Sequence, residues 1–235
     1  MKPIAVFQNS RNDGPGEFEA FATAHALPLA IHRLYAGDSL PPSMEFFSGL
    51  CILGSPKSAN DERAEFRQME RLILEARDKR IPVIGHCFGG QILAKALGGS
   101  VGPAPVAEIG WSDVSVSSSP LAREWFGARR FPMFQWHYET FSVPPGATLL
   151  AASEHCAHQA FCADDIHLGM QFHCEVDEVK IEEWLDKTGR TEIASASSPG
   201  IQDPEKIRAL VPTLLQTSKR TAAAIYTRWA AALTR

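Results

Sequence analysis

The 235-residue sequence predicts an α/β protein of three layers, with a mostly parallel central sheet between two layers of helices. Two observations predict it. Short apolar runs alternate with segments of helical periodicity through the first hundred residues, an order that favours parallel strands joined by covering helices. A glycine-rich turn, Gly85-His86-Cys87-Phe88-Gly89-Gly90-Gln91, then stands between an apolar run and a helical segment.

The elements follow in chain order. Residues 4–7 (Ile-Ala-Val-Phe) form a first apolar strand, and a helix over 17–25 follows the Gly14-Pro15-Gly16 turn. Residues 29–34 and 49–53 read as the next strands, the latter ending at Gly54-Ser55-Pro56. Over 62–79, Phe66, Met69, Leu72, Ile73 and Ala76 recur at helical spacing with charges between them. Residues 81–84 have the length and composition of a buried strand, and 91–97 form a helix closed by Gly98-Gly99. Strand character then dominates at 108–116, 131–135, 147–152, 159–162 and 169–172. Helices resume at 178–187 and from Pro204 onward, where a helical pair is expected. The Ser- and Ala-rich stretch 191–200 reads as a loop. Residues 1–235 are taken as one domain, with 191–235 a C-terminal helical extension. Arg208, Lys219, Arg220, Arg228 and Arg235 alternate with Ala and Leu and read as a solvated face.

Composition excludes several function classes. Hydrophobic residues make up 45% and charged residues 21%, a globular balance. The formal net charge of −4 favours neither nucleic acid nor an anionic membrane. Trp111, Trp125, Phe131, Phe134 and Trp136 therefore read as core and pocket wall, not as a base-stacking surface. No apolar run approaches the ~18 residues of a membrane helix, and the first residues lack the length of a signal peptide. Five unevenly spaced cysteines do not suggest a disulfide framework, so a reducing cytoplasm is expected.

The chemistry concentrates in two motifs. Gly85-His86-Cys87-Phe88-Gly89 has the pattern of a nucleophile elbow, with Cys at the tip. Such a turn is so tight that its flanking residues must be small, which explains Gly85 and Gly89. The tip sits at a helix N-terminus, where the dipole and free N–H groups favour a thiolate. The alternative is a structural cysteine in a glycine-rich turn. A cysteine nucleophile needs a base, and the base an orienting acid. Gln171-Phe172-His173-Cys174-Glu175 supplies both if extended, because residues two apart share a side. His173 and Glu175 then lie together while Cys174 points away. A surface His–Glu pair is the alternative for that motif taken alone. His86 adjoins the nucleophile on a sharp turn and is assigned to packing or substrate contact. His155-Cys156-Ala157-His158, with Cys162 and His167, matches no common zinc spacing, so no metal is expected.

Gly54-Ser55-Pro56, the Cys87 elbow and Gly169-Met170-Gln171-Phe172-His173-Cys174-Glu175 occur in the order found in the class I, triad-type glutamine amidotransferases. The sequence resembles that family over about residues 45–180. The resemblance implies a flavodoxin-like layering, Cys87 as nucleophile, His173 as general acid and base, and Glu175 as orienting acid. It implies an oxyanion hole from the backbones of Ser55 and Phe88. It also implies γ-glutamyl contacts from Gly54, Gln91 and the loop Trp136-His137-Tyr138, where Glu139 replaces the family's Asp. Cys174 stands where the family has Pro, losing a rigid φ but neither catalytic side chain. No nucleotide-binding motif is seen, and the layout resembles the stand-alone GMP synthase-like amidotransferases, a group that includes γ-glutamyl peptidases. The implied activity is hydrolysis of the glutamine γ-amide without a cofactor, with ammonia passed to a synthetase or acceptor subunit. The alternatives are a γ-glutamyl peptide hydrolase and a non-catalytic regulatory module on the same fold.

Overall fold

The computed structural model of the protein describes residues 1–186, 193 and 198–234. Its strands are β1 (Ile4–Gln8), β2 (Leu29–Arg33), β3 (Gly49–Ile52), β4 (Val83–His86), β5 (Val101–Val116), β6 (Arg130–Phe141), β7 (Thr148–Ala152), β8 (Ala160–Ala163), β9 (His167–Met170) and β10 (Gly200–Ile201). Its helices are α1 (Glu17–Ala24), α2 (Ala64–Asp78), α3 (Phe88–Ala96), α4 (Pro120–Phe126), α5 (Glu178–Trp184) and α6 (Pro204–Ala230).

The strands form a mixed sheet in the order β10-β5-β7-β8-β9-β4-β3-β1-β2, with β6 also paired to β5. The run β9-β4-β3-β1-β2 is parallel throughout. β8, β7, β5 and β6 extend it with antiparallel pairs. One face of the sheet buries Phe18, Trp125, Tyr226 and Trp229 from α1, α4 and α6. The other buries Phe66, Met69, Ile73, Ile92 and Leu93 from α2 and α3. The five α2 residues picked out by periodicity are all buried, because a 3.6-residue repeat brings them onto one stripe.

Several expectations change in detail. The tail forms one 27-residue helix instead of a helical pair. Pro212 lies inside it on an exposed position and removes one backbone bond without ending it. Its Ile225, Tyr226 and Trp229 are fully buried, so α6 is a wall of the core and not an appendage. Trp136, His137 and Tyr138, expected in a loop, lie in β6, which runs on because Ile109 pairs with Trp136 and Glu108 with His137. β9 ends at Met170, two residues early, and α4, absent from the sequence reading, starts at Pro120, whose fixed φ suits a first helical position. Most of the 191–200 loop, the end of the 178–187 helix and Arg235 lie outside the described residues.

The β4–α3 turn rests on backbone-to-backbone packing. A Cβ on Gly85 would strike the Gly89 backbone, one on Gly89 the Ile52 carbonyl of β3, and one on Gly90 the Met170 backbone of β9. With those three atoms absent, α3 starts directly over β3, β4 and β9, and Cys87 is forced to φ 51°. A left-handed non-glycine residue costs on the order of 1–3 kcal/mol and persists only where its surroundings impose it.

The His155, Cys156, His158, Cys162 and His167 group does not converge: no three of these lie close enough to share an ion among the described residues. His158 Nδ1 meets the Phe141 carbonyl at 2.8 Å, and Cys156 Sγ lies 3.3 Å from Thr140 Oγ1. His167 is 1% exposed, with neither ring nitrogen hydrogen-bonded among the described residues. Burial lowers its pKa to about 4 from an ordinary 6.5.

Two outcomes are expected from this packing. Gly89→Ala should lose about 1–3 kcal/mol or more in urea unfolding, whereas Gly102→Ala, with open space around it and no left-handed φ, should match wild type. Because the folded pKa of His167 lies below the unfolded one, its contribution is intact above pH 6.5 and is lost as pH falls toward 4. His167→Leu should therefore remove an acid-induced loss on the order of 3 kcal/mol across that window, read by pH-resolved urea unfolding.

Candidate active site

Cys87 lies at the tip of the elbow and lines a pocket of about 360 Å³ together with Ser55, Gln91, Trp136, His137, Tyr138 and His173. Its N–H donates to the Met170 carbonyl at 2.9 Å, which fixes the elbow to β9. Its Sγ is 3.7 Å from the Trp136 carbonyl and 3.6 Å from Gln171 Nε2. All five cysteines are free. Burial pushes the thiols of Cys51, Cys156, Cys162 and Cys174 up, that of Cys162 to about 12, so these four are inert packing residues.

His173 follows β9 and is held by an antiparallel bridge to β6, its N–H donating to the Phe134 carbonyl at 2.9 Å. Its Nδ1 lies 2.6 Å from Glu175 Oε1, leaving Nε2 as the ring's other functional atom. The ring stands edge-on to Trp184, with centroids 4.8 Å apart. Burial disfavours an imidazolium, but the Glu175 carboxylate and the Cys87 sulfur outweigh it and hold His173 well above the usual histidine range. Glu175 is fully buried behind His173 and does not line the pocket. Burial alone would push its carboxyl up. The Lys180 ammonium and the His173 ring reverse this and keep it well below the usual carboxylate range. Cys174 faces the opposite way, with its Sγ 3.3 Å from the Tyr226 hydroxyl of α6.

The profile of the family described as "Glutamine amidotransferase class-I" matches residues 33–185 of this sequence. The chain belongs to that family. A glutamine amidotransferase-like protein of Salmonella typhimurium is 30% identical over 191 residues, covering 78% of this chain and 80% of that protein. The glutamine-hydrolysing GMP synthase of Bacillus pumilus is 33% identical over 129 residues, which is 54% of this chain but only 24% of that enzyme. The crystal structure of a glutamine amidotransferase from Methylobacillus flagellatus superimposes with a TM-score of 0.97 at 39% identity, covering 100% of this chain and 96% of that one. The chain thus shares the mixed α/β architecture of known amidotransferases over its whole length.

Within this amidotransferase fold the other anticipated residues take distinct places. The Phe88 ring is buried against Phe66, with centroids 4.9 Å apart. Its N–H belongs to the first turn of α3, where no intrahelical partner exists. Ser55 lines the pocket at the β3 turn, but Gly54 does not. Its reason is steric, since a Cβ there would meet the Asp13 carboxylate and His173 Cε1. Gln91 Nε2 donates to the Glu139 carbonyl at 3.1 Å and to Gln171 Oε1 at 3.3 Å. His86 is fully buried against Tyr226, its Nε2 3.2 Å from the hydroxyl, and contributes nothing to the pocket. It is a packing residue.

Sequence reasoning missed four residues. Gln171 bridges Gln91 and Cys87. The same two-residue alternation that pairs His173 with Glu175 could have found it. Glu108 is fully buried under the pocket wall and receives His137 Nε2 at 3.1 Å, Gln159 Nε2 at 2.9 Å, Ser112 Oγ at 3.0 Å and Ser153 Oγ at 3.1 Å. His137 Nδ1 faces the Glu139 carbonyl at 3.1 Å, so Glu108 braces that strand from below. Cys156 also comes close to Glu108 and His137, but this carboxylate is already occupied by four protein donors. Lys180 Nζ fills the space between Asp13 Oδ1, at 2.5 Å, and Glu175 Oε1, at 3.1 Å. Nothing local in sequence signals either Lys180 or Asp13.

Burial raises Glu108, but its bonds from His137 and the serines prevail and hold it below the ordinary 4.5. Its contribution is present above that value and lost as pH falls through the lower folded one. Glu108→Gln should cost about 1–3 kcal/mol at pH 7 in urea unfolding. The gap to wild type should narrow on acidification below pH 4.5.

Proposed function

We propose that residues 1–235 form one amidotransferase domain that hydrolyses the γ-amide of glutamine through a γ-glutamyl thioester on Cys87. The observation that carries this reading is the 2.6 Å pairing of His173 Nδ1 with buried Glu175, on a histidine that shares its pocket with Cys87. Glu175 fixes the tautomer and ring orientation of His173 and stabilises the imidazolium, as the third member of a triad does.

The reaction runs in two halves, acylation of Cys87 and hydrolysis of the thioester. The Cys87 thiolate attacks the γ-carbonyl carbon, and the carbonyl π electrons move onto oxygen. The N–H groups of Ser55 and Phe88 stabilise that oxyanion; one such donor contributes roughly 10²–10³-fold in rate. As the oxyanion collapses, the C–N bond breaks and His173 Nε2 gives its proton to the departing nitrogen, releasing ammonia. His173 then takes a proton from water, whose oxygen attacks the thioester, and glutamate leaves as the thiolate re-forms. Gln91, Trp136, His137 and Tyr138 bind the γ-glutamyl part, and Gln171 and Glu108 hold Gln91 and β6 in place for it.

The Bacillus pumilus relative is named for glutamine hydrolysis and GMP synthesis together, and this chain matches only about a quarter of it. By analogy, ammonia passes from this domain to a separate synthetase or acceptor subunit. A γ-glutamyl peptide is a second reading. The pocket of about 360 Å³ is also lined by Ser10, Asn12 and Trp184, beyond the residues assigned to the γ-glutamyl part, and that extra wall would suit a leaving group larger than ammonia.

Glutamate release from glutamine and from γ-glutamyl peptides should fall in Cys87→Ala by a factor on the order of 10³ or more. A variant that keeps wild-type rates on both substrates would sink the assignment. A wild type that hydrolyses only the peptides would favour the second reading.

A further inference from the structure

The buried ionic group behind His173 is larger than a triad. Asp13 comes from the β1–α1 loop, Glu175 from the turn after β9, and Lys180 from the first turn of α5. Their side chains are 7%, 0% and 6% exposed. We propose that Lys180, clamped by Asp13, is a positioning residue that keeps Glu175 charged and aimed at His173, and so tunes the nucleophilicity of Cys87. This rests on the reading of Cys87 and His173 given above.

The fold takes several steps to make this contact. α5 is capped by Asp177, whose carboxylate receives the Lys180 N–H at 2.8 Å, so the lysine backbone is pinned at the helix start. One turn on, Trp184 lies on the same face, with the Lys180 ammonium 5.2 Å from its ring centroid. Trp184 Nε1 donates to the Asn12 carbonyl at 2.7 Å, which ties α5 to the loop carrying Asp13. That loop is tied in turn to the triad, since the Glu17 N–H donates to the Glu175 carbonyl at 2.9 Å. Gly16, at φ 47°, comes so close to the same carbonyl that a Cβ would strike it. Gly54 clears the space into which the Asp13 carboxylate and His173 both reach. Three chain segments thus meet for one ammonium.

The charges explain why. Both donors to Glu175, His173 Nδ1 and Lys180 Nζ, meet the same oxygen, Oε1. The other groups around Glu175 are His86 on β4, Cys51 on β3, Cys174 and the Tyr226 hydroxyl of α6. Burial keeps His86 below the ordinary histidine range and pushes both thiols and the phenol up, so these groups stay neutral. Lys180 is therefore the permanent cation facing Glu175 among the described residues. Asp13 balances that cation while His173 is neutral, and one proton moving onto His173 leaves the whole group neutral. Without Lys180, two buried carboxylates would share one imidazole, and one of them would take up a proton.

Lys180→Met and the double variant Asp13→Asn/Lys180→Met test this. In Lys180→Met, kcat for glutamate release should drop roughly 10–100-fold with little change in KM, and the acid limb of kcat/KM should move up by about one pH unit or more. The same upward shift should appear without substrate, in the pH dependence of Cys87 alkylation by iodoacetamide. The double variant removes the stranded carboxylate and should regain thermal stability while keeping the shifted profiles. Alkylation profiles unchanged or shifted downward, or a double variant with wild-type profiles, would reduce Lys180 to a structural ion pair and overturn the proposal. A wild type whose Cys87→Ala variant keeps full hydrolysis would instead overturn the functional reading, while the alkylation profiles would still decide the role of Lys180.

Discussion

The Glu175 carboxylate is entirely buried, and an ion in that position has to be met by charge or it takes a proton. Here one oxygen accepts from His173 at 2.6 Å and from Lys180 at 3.1 Å, and Asp13 balances the lysine. Meeting that requirement organises much of the surrounding chain. The β1–α1 loop, the β3 turn at Gly54 and the start of α5 converge on this group, and the backbone bridge to β6 holds His173 beside it. α6 supports it from behind through Tyr226, which touches both Cys174 and His86. The family's Pro between His and Glu is absent, and the Cys174 side chain anchors the turn to α6 instead.

Cys87 is placed by an independent constraint. Three glycines let α3 start against the backbones of three strands, and Cys87 takes a left-handed φ as a result. A chain of polar contacts then runs from Glu108 through His137 to the Glu139 carbonyl, to Gln91, and through Gln171 to Cys87. On the proposed reading, one side of the pocket is thus braced for binding and the other for proton transfer. The two bracing systems share no side chain, so damage to one should register mainly in KM and damage to the other mainly in kcat.

Residues close in sequence were the legible ones. Gly85, Cys87 and Gly89 were readable because a tight turn imposes its own spacing, and His173 with Glu175 because alternate residues share a side. The central strands of the first hundred residues followed from short apolar runs, since β1, β3 and β4 are buried on both faces, and α2 from its periodicity, since it packs one face. Lys180 and Asp13 are 167 positions apart, and only the folded topology brings them together. Glu108 was invisible for the same reason: its four donors come from three separate segments. The expected helical pair is a single α6, which runs through Pro212 because that position is exposed and the flanking turns hold. The two-residue rule would have revealed Gln171 had it been carried one step further back along the same segment.

The central claim concerns a covalent bond on one atom. Wild-type protein mixed with glutamine, quenched in acid within the first turnover and digested, should yield the peptide carrying Cys87 heavier by one γ-glutamyl group. The peptides carrying Cys51, Cys156, Cys162 and Cys174 should be unmodified. An adduct on any other residue, or turnover with no adduct on Cys87 at any quench time, would contradict the account.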